Sequence, residues 1–447
     1  MIKKASLLVA LVCLSLLSSA QIISTYAGNG VSGDSGDGDP ATSASIGGFS
    51  FSTFDKNENY FFSERGSHKI RKISNSGVIT TIAGIGISGF SGDGGAATLA
   101  KLNNPIGIAC DHFGNLYIAD LDNNRIRKID NVTGVISTLA GNGASGHTGD
   151  GEMATNASIN APTGICVDPF NNIFFTEIGS NTIRKITAAG IISTYAGTTN
   201  VGGTDSGDGG LATAATIASP EGICSDALGN IYFATSSRIR KILASSDIVI
   251  SIAGTNASGF SGDGGLATNA VLNSPLAVAV DKYGNIFIAD KNNNRIRQVA
   301  SNGIINTIIG DGVGGYNGDN QPATTAEIYS PEGVSLDSCN NIYVSDLFNF
   351  RVRKITYDRC DYLQIKNQNS ISNIDIYPNP TTNELQIDNI AIPTIYKIYN
   401  LVGTTLQQGT LKERSNIISI RAIPAGMYLL EMVDEEGNKT TKKIIKE

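Results

Sequence analysis

The chain has little of what catalysts and nucleic-acid binders depend on. Its 447 residues include 3 histidines and no tryptophan, and only 16% are charged. His68, His112 and His147 fall at unrelated positions, so no three-ligand metal site can be assembled from them. Acidic residues number 40 against 33 basic ones, a net charge of −7, and no basic stripe is present of the kind that phosphate backbones require. Nucleic acid is therefore not an expected partner. Long apolar runs are also missing after residue 20, so no transmembrane span is expected. The one such run, Ala5 to Leu17, follows Lys3-Lys4 and precedes Ser18-Ser19-Ala20, the pattern of a secretory signal over residues 1–20. It is shorter than the roughly 20 residues a membrane helix needs. Capped helical periodicity, a phosphate loop, a nucleophile elbow and a Cys/His pair are absent as well.

What the chain does have is repetition. An Ala-Gly tag, last seen as Ile309-Gly310, ends at Gly28, Gly84, Gly141, Gly197, Gly254 and Gly310, giving steps of 56, 57, 56, 57 and 56. A second tag of the Arg-Ile-Arg-Lys type places Arg71, Arg127, Arg184, Arg240, Arg297 and Arg353 at the same steps. Fixed periods of this size signal a propeller, solenoid or array. Each copy holds four short runs of apolar and β-branched residues divided by Gly/Asn/Asp turns, as in Gly107–Asp111, Leu116–Asp120, Arg125–Ile129 and Val135–Ala140. That pattern predicts a four-stranded antiparallel meander. One such sheet cannot bury both faces, so six stacked radially predict an all-β, six-bladed β-propeller with four-stranded blades. The first run, Ile22–Tyr26, reads as an outermost strand, and the repeats end at Ile355 on a third strand. The N-terminal strand should therefore close the last blade and remove two exposed edges.

Asn115-Leu116-Tyr117-Ile118-Ala119-Asp120 and Asn124-Arg125-Ile126-Arg127, with the runs Asn285 to Arg297 and Asn341 to Arg353, resemble NHL-repeat propellers over residues 21–358. That architecture hosts binders, lyases and lactonases alike, so it implies a fold and not a function. The first and fourth copies depart most: Phe51 stands where Gly is usual, and Ser236-Ser237 marks a shortened corner.

Residues 359–373 read as a polar linker. Residues 374–447 predict six or seven short strands, a small Ig-like β-sandwich. Tyr377-Pro378-Asn379-Pro380, Ile398-Tyr399-Asn400-Leu401-Val402-Gly403 and Ile423-Pro424-Ala425-Gly426-Met427-Tyr428 resemble the type IX secretion (Por system) sorting domain of Bacteroidetes-type bacteria. The resemblance implies export by the type IX machinery, removal of the module by a sortase-like peptidase, and attachment to surface lipopolysaccharide or release. The expected location is thus extracellular or at the outer-membrane surface.

Five cysteines follow residue 20. Cys110, Cys166 and Cys224 lie in first strands and read as buried small apolar groups, while Cys339 and Cys360 near the ring's closure are candidates for a disulfide. The loop between blades and the corner between second and third strands should emerge on one face. The loops carry Asp93, Asp150, Asp208 and Asp263 in Gly-Asp-Gly settings, with Asp319 as a variant. The corners start at Glu64, Asp120, Glu177, Asp290 and Asp346, with Thr235 breaking the pattern. This acidic, glycine-rich face is a candidate surface for a protein or carbohydrate ligand, although such aspartates can also serve the turn itself. Asp34, Asp37 and Asp39 alternate in a way that offers oxygens to calcium, the one cofactor the sequence admits, but lack the twelfth-position glutamate of a helix-loop-helix site. Glu221 and Glu332 are non-repeated carboxylates expected near the channel mouth, where other copies carry Ile106, Thr163 and Leu276. Two readings follow: a secreted or surface-attached binding propeller, or a lactonase- or lyase-like enzyme with a channel metal. Binding is the expectation, because catalysis needs non-equivalent residues to converge and these repeats are nearly equivalent.

Overall fold

A computed structural model describes residues 21–199, 204–356, 375–388, 390, 393–400, 404–412, 415–434 and 439–447. They fall into two compact units, one within Met1–Tyr357 and one within Asp358–Glu447.

The first unit is the six-bladed ring. Its first three blades are Phe49–Phe54, Tyr60–Glu64, Lys69–Ile73, Ile79–Ala83; Pro105–Cys110, Leu116–Asp120, Arg125–Ile129, Ile136–Ala140; and Pro162–Val167, Ile173–Glu177, Thr182–Ile186, Ile192–Ala196. The fourth and fifth are Ile223–Ser225, Ile231–Ala234, Ile239–Leu243, Ile248–Ala253; and Pro275–Val280, Ile286–Asp290, Arg295–Val299, Ile305–Ile309. The sixth takes Pro331–Leu336, Ile342–Asp346 and Arg351–Ile355 from its own repeat and Ile22–Ala27, here β1, from the start of the chain. β1 runs antiparallel to the third strand with Ile23 opposite Ile355 and Thr25 opposite Arg353. Inner strands of neighbouring blades touch all the way round, Phe49–Phe54 meeting Pro331–Leu336 at the seam.

Second strands are apolar almost throughout because each lies between two neighbouring blades, and Leu116–Asp120 is buried at every position. Six apolar clusters occupy the six seams, as where Tyr117 and Ala119 meet Ile165 and Phe175. The closing seam is the aromatic one: Tyr26, Phe54, Tyr60 and Tyr343 pack with ring centroids 4.8–5.6 Å apart. Edge-on contacts of this kind contribute about 0.5–1.5 kcal/mol per pair beyond burial.

The second unit stacks a three-stranded sheet (Asp375–Tyr377, Glu384–Asp388, Ser415–Ser419) on a four-stranded one (Thr394–Tyr399, Thr405–Leu411, Gly426–Asp434, Lys439–Lys446). Leu385, Ile387 and Ile418 from one and Ile398, Leu430 and Ile444 from the other form a single core. The expected signal at 1–20, the linker at 359–373 and Cys360 lie outside the described residues. Cys339 is disulfide-bonded, whereas Cys110, Cys166 and Cys224 are free.

Candidate functional site

Each blade contains one arginine that no solvent reaches: Arg71, Arg127, Arg184, Arg240, Arg297 and Arg353 are all 0% exposed. A buried guanidinium needs anionic partners, and two carboxylates meet it. The loop supplies one: Asp37, Asp93, Asp150, Asp208, Asp263 or Asp319, at 2.6–2.9 Å. In five blades the second strand's end supplies the other, as Glu64 to Arg71 at 2.9 Å and Asp120 to Arg127 at 3.3 Å. In the third blade Glu177 also takes His147, at 2.7 Å. The loop aspartates hold the outer strand too: Thr138 Oγ1 donates to Asp93 and Ser251 Oγ to Asp208, both at 2.6 Å. Burial pushes the carboxyls of Asp120 and Asp346 up to about 6 against the pull of these bonds. The repeated aspartates thus pin loop to blade, and the acidity that their sequence suggests is largely neutralised from within. Arg125 differs from Arg127: it donates to the Asn123 and Asn142 carbonyls and stacks on Phe90 at 3.7 Å.

Non-repeated residues gather at the axis. Five of the six inner strands bulge just after their opening residue, as between Pro105 and Ile108 in the second blade, and a bulge re-aims the side chain beside it. Position two of these strands is Ser50, Ile106, Thr163, Leu276 or Glu332, and Glu221 takes the equivalent place just ahead of the shorter fourth-blade strand. Glu332 is buried: Ser50 Oγ donates to one oxygen at 2.8 Å and Lys291 Nζ to the other at 2.8 Å, with Arg65 at 3.8 Å. Half-buried Glu221 is pushed up to about 7, first by burial and then by the charge of Glu332, with Lys291 and Arg65 pulling the other way. Four charges from four blades therefore share one mouth. Arg65 and Lys291 escaped the sequence reading. Their signal is a corner position where other copies carry Leu121, Ile178, Ser236 and Leu347.

A divalent cation does not suit this donor set. Both oxygens of Glu332 already accept protein donors, two cations stand beside the pair, and among the described residues no three His, Cys, Asp or Glu side chains converge on a metal-sized point. The alternating run fares no better, with Asp34 bound to Lys69 at 2.5 Å and Asp37 to Arg71 at 2.9 Å; Asp39 contributes its backbone to the turn facing Ile79.

Directly beneath the mouth the channel narrows. A Cβ on Gly107, Gly164 or Gly333 would meet the neighbouring strand's carbonyl at 2.1–2.3 Å, so only glycine permits this approach. Phe51, which takes the glycine's place in the first blade, reaches across to the fourth: its Cε1 lies 2.9 Å from where a Cβ on Gly222 would sit. The phenyl ring plugs the channel.

Residues 375–447 match the model of the secretion system C-terminal sorting domain. Residues 87–145, 142–206 and 255–317 match that of the teneurin NHL domain. The chain is 28% identical over 297 residues to SUPPRESSOR OF QUENCHING 1, chloroplastic, of Arabidopsis thaliana, covering 62% of this chain and 27% of that protein. It is 30% identical over 279 residues to human teneurin-4, covering 54% of this chain and 10% of that protein. It thus spans about a quarter and a tenth of these relatives. An auxiliary nutrient binding protein of Bacteroides thetaiotaomicron shares the fold at TM-score 0.55 and 16% identity, over 75% of this chain and 76% of that one. The sorting domain marks the chain for export to the cell surface or beyond. Among the described residues no helix is long and apolar enough to cross a membrane.

Proposed function

We propose that this chain, an NHL-repeat propeller joined to a secretion sorting domain, is a secreted or surface-attached binding module. It recognises an extracellular protein or glycan through its loop face, with the contact centred on the channel mouth. One observation carries the reading: Arg65, Glu221, Lys291 and Glu332, each at a position where most blades carry an uncharged residue, converge there, while each blade's buried arginine is paired within the ring. Such a mouth suits a polar ligand offering both hydrogen-bond donors and acceptors. In this reading the type IX machinery delivers the chain, a sortase-like peptidase removes the module, and the ring is released or linked to lipopolysaccharide.

The test is an array of glycans and peptides probed with the secreted protein and with Arg65→Ala/Lys291→Ala, with and without calcium. The wild type should bind a subset that the double variant loses, regardless of calcium. Equal binding by both proteins would remove the mouth from consideration. The second reading, a propeller hydrolase or lyase, draws on the paired carboxylates and the raised Glu221. Any turnover found should vanish in Glu221→Gln/Glu332→Gln, and unchanged turnover ends that reading.

A further inference from the structure

Below Phe51 the inner strands enclose a cavity of about 290 Å³, at the lower end of ligand-pocket size. Its walls are the later halves of those strands, including Ile108, Ile165, Val278 and Val334, so it lies toward the face opposite the loops. The turns joining inner to second strands surround that end. In each turn an aspartate is engaged locally: Asp111 Oδ1 accepts the N–H groups of Phe113 and Asn115 at 2.9 Å, and Oδ2 accepts Asn115 Nδ2 at 2.8 Å. Asp55, Asp168, Asp226, Asp281 and Asp337 repeat the arrangement. The third residue of the turn is then presented outward. In four successive blades it is large and apolar: Phe113, Phe170, Leu228 and Tyr283, 55–75% exposed.

No residue lining the cavity carries a charge. Burial pushes the Cys110 thiol up to about 12 and raises Cys166 and Cys224 as well, so the three thiols add no charge to the wall. A charged ligand would lose its hydration there with nothing to replace it. Ser52 and Ser335 supply the polar feature, their hydroxyls 2.9 Å apart on one wall. The first and sixth blades carry Asn57 and disulfide-bonded Cys339 at the turn position, which breaks the apolar crown and leaves no continuous surface for a protein partner.

We propose that this chamber is a second binding site, separate from the mouth, for a neutral aromatic or aliphatic small molecule bearing one hydrogen-bonding group. The ligand enters over Phe113, Phe170, Leu228 and Tyr283, stops against Phe51, and meets Ser52 and Ser335. The proposal is independent of the loop-face reading, because Phe51 separates the two sites.

The probe is N-phenyl-1-naphthylamine, neutral and fluorescent in apolar surroundings, titrated into the full chain from residue 21. One saturable site with micromolar Kd is expected, with one probe bound per chain. Ala279→Asp, which adds a charge to the wall, should weaken binding at least about tenfold. Tyr283→Ser on the exposed crown should weaken it by about threefold, and Leu99→Ser, an exposed apolar site on the rim, should change nothing. Unsaturable binding, a stoichiometry other than one probe per chain, or equal loss in Leu99→Ser and Tyr283→Ser would overturn the proposal even if Ala279→Asp fails to fold.

Discussion

Asp205 stands 3.8 Å from Arg240 and replaces, in the fourth blade, the strand-end carboxylate that the other five provide. Thr235 occupies the strand end instead and donates its hydroxyl to Asp205. The substitution extends to the backbone: Asp205 accepts the Ala218 N–H at 2.9 Å, as Asp120 accepts that of Asn103 at 2.7 Å. The blade keeps its charge pattern by drawing the acid from a loop. Asp205→Ala should therefore lower stability by about 1–3 kcal/mol, the cost of leaving buried donors partly unsatisfied. Adding Thr235→Asp to that variant should restore at least half of the loss in thermal melts followed by circular dichroism. No recovery would mean the two positions are not interchangeable.

Closure of the ring rests on β1. Ile23 is fully buried beside the sixth blade while its neighbour Ile22 is 41% exposed. Ile23→Ala should cost about 2–4 kcal/mol through lost burial and the cavity left behind. Ile22→Ala should fall within about 0.5 kcal/mol of wild type. Denaturant titration distinguishes them, and equal losses would show that the seam does not depend on this strand.

The mouth should make stability depend on pH. Glu221, raised to about 7 from an ordinary value near 4.5, holds its proton more tightly folded than unfolded. Its ionisation thus costs stability progressively as pH rises from about 4.5 to 7, and the cost is constant above that. Glu221→Gln escapes it. The variant's melting temperature should match wild type at pH 4, exceed it increasingly up to pH 7, and keep that lead at pH 8. A difference independent of pH would mean that Glu221 titrates normally.

The sorting module is tied together at its two ends. Asn379 Nδ2 donates to the Lys443 carbonyl at 2.8 Å, and Asn379 Oδ1 accepts the Ile445 N–H at 2.8 Å, so its opening motif grips its last strand. Deleting residues 375–447 should leave the ring folded but retained in the periplasm. Asn379→Ala should reduce export without abolishing it, as read by immunoblots of medium and cell fractions. Efficient surface display of the deletion would refute the assignment of this module to export.

Blade number, strand order, the closing strand and the sorting motif were all legible along the chain, because hydrogen-bond ladders and seam packing depend on local pattern and a constant period. Asp93, Asp150, Asp208, Asp263 and Asp319 were visible too, yet their attachment to buried arginines was not. That depends on the loop folding back over its own blade, which no spacing reveals. Glu221 and Glu332 stood out as departures from the repeat, whereas Arg65 and Lys291 passed unnoticed in corners where any residue is tolerated. Only ring closure brings the first, fourth, fifth and sixth blades to a common axis. Phe51 shows the same division: the sequence marks an odd residue in a glycine column, but its role as a plug exists only because the opposite strand lies one side chain away. Periodic interactions are written residue by residue, while anything at the centre of the ring is decided by chain segments that meet only after folding.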